Sequence, residues 1–193
     1  MDELPEVLTR AQQDVEATQG VVAMGLASSV VGRDVAGALQ RAGTYLEECQ
    51  HILFSGAATP AMIARITTSA SELMDMLREL RSSLAGEVGE TTPFGFMIDT
   101  FLTSNSEHLV EDMQRKIEAD GPPSPDEPPS TFDHLLSEST ENLIDFIRDQ
   151  ERIDRERSYM AEIESLRATA SVAAQEAAHS AELAAQAAGV TGI

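Results

Sequence analysis

The chain has 193 residues, with 33 acidic against 13 basic side chains and a formal net charge of −20. That balance disfavours direct contact with nucleic acid and with anionic membranes, since both rest on Lys and Arg meeting phosphate. Hydrophobic residues make up 42% but aromatics only 4%, and Trp is absent, so alanine and short aliphatics must fill any core, which suits packed helices better than a β-sandwich.

Three early segments carry apolar residues at alternating four- and three-residue steps. Leu4, Leu8, Ala11, Val15, Thr18 and Val22 form the first stripe, with Gly25 and Ser29 in phase. Val35, Leu39, Ala42, Leu46, Cys49 and Leu53 form the second, and Ile63, Ile66, Ala70, Leu73, Leu77, Leu80 and Leu84 the third. This spacing keeps each set on one helical face, ready for knobs-into-holes packing. Gly32 followed by Asp34 predicts the start of the second helix, with Asp34 as N-cap. Ser55-Gly56 closes that helix, Thr59-Pro60 opens the third as N-cap and first residue, and Gly86 and Gly89 end it. The short connections force antiparallel neighbours, so residues 3–86 read as an up-down-up three-helix bundle.

Residues 93–103 hold three of the six phenylalanines and read as a short helix or turn over one end of that bundle. Ser104 and Glu107 have capping-box spacing. They open a fourth helix, near 105–119, on Leu109, Val110, Met113 and Ile117. The five prolines of residues 120–130 exclude helix and favour an extended spacer. From Thr131 neither Pro nor Gly occurs before Gly189, which predicts one helix of ~57 residues, about 85 Å long. Phe132, Leu135, Leu136, Leu143, Phe146 and Ile147 give it a strongly apolar first face. Charge dominates from Arg148 to Ser158. A seam of Ile163, Leu166, Ala170, Ala173, Ala177 and Ala184 follows, and the residues after Gly189 read as a frayed end.

The expected fold is therefore all-α: an antiparallel helical bundle at 1–119, a Pro-rich acidic linker at 120–130, and a long, coiled-coil-like helix at 131–193. A first stretch without a basic n-region or apolar h-region, and no apolar run near 18 residues, point to a cytoplasmic protein. One lysine against twelve arginines, with abundant alanine, suggests a GC-rich bacterial or phage genome.

Chemistry-bearing motifs are few. Glu48/His51 and Glu176/His179 repeat the Glu-x-x-His spacing by which ferritin-like bundles hold two metal ions in their core. Helical phase argues against it. Glu48 and His51 fall roughly 130° and 170° from the centre of their stripe, and Glu176 and His179 roughly 95° and 155° from theirs, where core ligands must point inward. His108 with Glu111 and Asp112, and His134 with Glu138, read as one-turn surface pairs or as two-ligand fragments of a metal site, which need further ligands from elsewhere. Cys49 lies in the second stripe as a small apolar filler, and His51, two residues on, faces away from it. There is no Gly-rich phosphate loop and no Gly-x-Ser-x-Gly elbow.

No cofactor is expected. The expected function is non-enzymatic: a scaffold or adaptor that meets protein partners through helical faces and forms a homodimer through its C-terminal helix. The alternatives are the di-metal bundle using Glu48, His51, Glu176 and His179, and an acidic inhibitor or DNA mimic that binds a basic partner.

Overall fold

The computed structural model describes residues 3–25, 30–85, 93–121 and 131–190. They form five α-helices: α1 (Glu3–Gly25), α2 (Val30–Phe54), α3 (Pro60–Ala85), α4 (Phe94–Asp120) and α5 (Thr131–Val190). No strand occurs among them, so the fold is all-α, as composition and periodicity led one to expect. None of these helices is long and apolar enough to cross a membrane. The chain divides into two compact units, Met1–Gln150 and Glu151–Ile193. The division falls inside α5 and not at the proline-rich residues 120–130, of which 122–130 lie outside the described residues.

In the first unit α1 packs against α2 and α3, and α4 packs against the same two helices. Consecutive helices α2 and α3 thus face each other across the centre. Four helices enclose this core where the stripes alone suggested three. The reason lies in α2. Beyond Leu39, Ala42, Leu46 and Cys49, its Ala38, Tyr45 and Ile52 are also buried, giving a face wide enough for a neighbour on each side. Alanines at 11, 38, 42 and 70 are wholly buried and let the helices approach closely.

Helix ends follow local chemistry. Thr59 Oγ1 accepts from the Met62 amide at 3.2 Å and Pro60 is the first residue of α3, as expected. Behind α2, the Ser55 and Gly56 amides donate to the His51 and Leu53 carbonyls, with Gly56 at φ 70°, a left-handed conformation that glycine adopts at little cost. Two expectations are corrected. Helix α2 begins at Val30, so Gly32 and Asp34 sit within it and Asp34 is not its cap. Residues 94–103 are not a separate lid but the first half of α4. Phe94, Ile98, Leu102, Ser106, Leu109 and Met113 are all buried and make one unbroken stripe straight through Ser104, which is exposed mid-helix. Continuous burial on one face outweighs a capping-box match. Ile117, assigned to the same stripe, is instead exposed. Gly86 and Gly89 fall outside the described residues.

The first third of α5 completes the unit. Leu136 and Leu143 join the core, and Ile144, Phe146 and Ile147 pack against it. Phe132 is half-exposed, its ring lying over Gly56.

Candidate interaction surfaces

The Glu-x-x-His pair of α2 lies where helical phase put it, off the α1–α4 core. It is not simply solvated, because α5 covers that side. His51 Nδ1 lies 3.1 Å from Ser139 Oγ, and Asn142 Nδ2 donates to Glu48 Oε1 at 3.1 Å. As the α2 number falls the α5 number rises, so the two helices run antiparallel. Glu48 Oε2 is buried and finds no hydrogen-bond partner among the described residues. Burial pushes the Glu48 carboxyl above its ordinary value; Glu138 and Glu47 add to the rise, while His51 and Asn142 oppose it. The pair is therefore half of a polar seam whose other half is Ser139 and Asn142. Those two gave no signal in the sequence, since nothing local says which helix covers α2.

Glu176 and His179 lie in the second unit, and both are exposed. Among the described residues no group of three or more His, Cys, Asp or Glu side chains is placed to hold a metal ion. His108 sits 3.8 Å from Glu111, both exposed. Its other candidate, Asp112, is engaged elsewhere: Arg65 Nε and Arg115 each donate to it at 2.8 Å. His134 and Glu138 are both exposed.

Two polar features went unread in the sequence. Arg41 meets Asp99 in a two-pronged pair, with Nε to Oδ1 at 2.8 Å and the other nitrogen to Oδ2 at 2.7 Å. Asp99 is wholly buried, and the pair ties α4 to α2. A signal existed: Asp99 is the one charge in the apolar run from Phe94 to Leu102. At the centre, the Tyr45 hydroxyl and Ser69 Oγ are hydrogen-bonded at 2.9 Å between α2 and α3. Cys49, a turn below Tyr45, is fully buried, and burial pushes its thiol up to about 12. A thiol so protonated is no nucleophile at neutral pH.

An unpartnered apolar face runs along the described residues of the second unit. Every described side chain from 158 to 183 is exposed. These include Tyr159, Met160, Ile163, Leu166, Val172 and Leu183, each at least 41% accessible. No family model, no curated protein and no solved structure matches the chain, so its functional reading rests on its own geometry.

Proposed function

We propose that this chain is a non-catalytic assembly protein, a scaffold or adaptor, whose C-terminal helix offers an apolar face to another helix. The observation that carries the reading is the exposure of Tyr159, Ile163 and Leu166 at 65%, 41% and 62% on one stripe of a long helix. A single helix in water is marginal, since most helical stability comes from packing an apolar face. Large side chains at seam positions gain only when a second helix covers them. In the first unit the apolar stripes are spent on internal packing, large exposed side chains such as Met24 and Phe54 lie off those stripes, and Cys49, Glu48 and His51 are accounted for by burial and by α5.

Affinity capture with the full chain and with a double variant, Ile163→Glu with Leu166→Glu, tests this. The reading expects proteins, copies of the chain included, that bind the parent in low and high salt and are lost with the variant. Apolar contacts survive screening, whereas attraction to the acidic surface does not. If every captured species washes off in high salt and the variant captures the same set, the acidic-surface alternative replaces this reading.

A further inference from the structure

The seam has a size gradient that specifies its own partner. Large side chains occupy its first part, Tyr159, Ile163 and Leu166, and small ones follow at Ala170, Ala173, Ala177 and Ser180. All seven are exposed. We infer that the occupant of this face is a second copy of the same helix, paired antiparallel and centred between Ala170 and Ala173. The inference rests on the docking role proposed above and names its partner.

Antiparallel pairing in that register sets Ile163 opposite Ser180, Leu166 opposite Ala177, and Ala170 opposite Ala173 of the second copy. Each large residue then meets a small one. One interaxial distance, within the ~8–10 Å that helix pairs adopt, serves the whole contact. The same holds beside the seam, where Met160 falls opposite Ala181. Parallel pairing stacks Ile on Ile and Leu on Leu, then three layers of Ala on Ala. The helices would have to converge along the contact or leave voids, and voids forfeit dispersion contacts outright. Parallel pairing does bring Glu162 toward Arg167 of the other copy, but exposed ion pairs of this kind contribute little.

Charge and area both admit self-association. Residues 151–183 carry seven acidic and four basic side chains, and the stretch 151–157 is neutral, with three of each sign. In the antiparallel register Glu162, Arg167 and Glu176 fall opposite Leu183, Ala174 and Thr169, so no like charges meet. A contact ~38 Å long and a helix diameter (~12 Å) wide covers roughly 500 Å² per chain. The total of about 1,000 Å² is close to the threshold for a specific interface. The dimer is therefore expected in the micromolar range, and it tightens with salt, because two chains at −20 each repel and salt screens that repulsion.

The test uses the full chain. Light scattering at tens of micromolar reads the mass, and two single variants, Ile163→Cys and Ser180→Cys, are mixed and oxidised. The native thiol at Cys49 is buried and stays out of the exchange. The expected result is a dimer joined by a mixed 163–180 disulfide, since antiparallel layers bring these α-carbons within bonding reach. Parallel pairing keeps them ~26 Å apart and gives only 163–163 and 180–180 links. That outcome overturns the inference and leaves the docking role standing. A monomer at tens of micromolar in both low and high salt overturns self-pairing as well. The docking role then stands or falls separately, on whether affinity capture yields other proteins through Ile163 and Leu166.

Discussion

Asp99 is a carboxylate at a core position of α4, wholly out of contact with water, and Arg41 answers both of its oxygens. Truncating one member of such a pair leaves the other charge buried, which costs about 3–5 kcal/mol, whereas an exposed pair is worth well under ~1 kcal/mol. Arg41→Ala is therefore expected to lower stability by about 3 kcal/mol in urea unfolding. Arg10→Ala, which removes only an exposed contact with Glu6, should leave the midpoint almost unchanged. Equal effects would show that the Arg41–Asp99 bond does not hold α4. Glu48 gives a pH signature. Its folded-state pKa is raised by burial, so the folded chain holds this proton more tightly than the unfolded chain does. The sign follows: stability from this group is full below the ordinary carboxylate value and declines as pH rises through the folded value. Glu48→Gln keeps an oxygen for Asn142 and cannot ionise. It is expected to remove the decline of Tm with rising pH that this group contributes and to raise Tm at pH 7 by on the order of 2 °C. A variant that melts lower than the parent at pH 7 would contradict the assignment.

At the scale of elements, legibility tracked how local the cause was. The three stripes, the Thr59-Pro60 start and the Gly56 stop could be read because a few adjacent residues decide them. The single run of α4 was misread because Ser104 and Glu107 imitate a local start, while the deciding fact, burial of Phe94 through Met113 on one face, is tertiary. The polar seam was half legible. Phase placed Glu48 and His51 off the first core, but only the fold shows that α5 arrives there with Ser139 and Asn142. Likewise nothing local foretold that α4 would meet α2 closely. At Gly95 an added Cβ would overlap the Asp34 carboxylate and approach the Asp34 carbonyl carbon to 3.3 Å. Backbone cannot yield as a side chain can, so Gly95→Ala must spread α2 from α4 and loosen Arg41 from Asp99 nearby. A loss of about 1–3 kcal/mol is expected, despite the better helix propensity of alanine. A thermal melt in which the variant gains stability would show that this approach is slack.

For the whole molecule, the division at Gln150 says that the first unit carries the tertiary structure. A chain ending at Gln150 is expected to unfold in one cooperative step, with a midpoint within about 2 °C of the full chain's at low concentration. It should also lose the concentration dependence of mass. A truncated chain that fails to unfold cooperatively would show that residues beyond 150 are needed for the core. The acidity that first marked the sequence acts at this scale too: it keeps the chains apart, so that association has to be specified by shape.

Trp is absent and there are only two tyrosines, which makes the chain optically simple. Tyr45 is sealed in the first unit with its hydroxyl bonded to Ser69, and Tyr159 stands in solvent on the second. Each unit thus contains a single tyrosine, the dominant emitter when Trp is absent. Emission from a Tyr45→Phe chain reports on residue 159 alone and would follow dilution and salt without any attached dye. Emission from a Tyr159→Phe chain reports on residue 45 alone and would follow the melting of the packed helices. Two titrations of the same sequence, each with one ring silenced, separate assembly from folding.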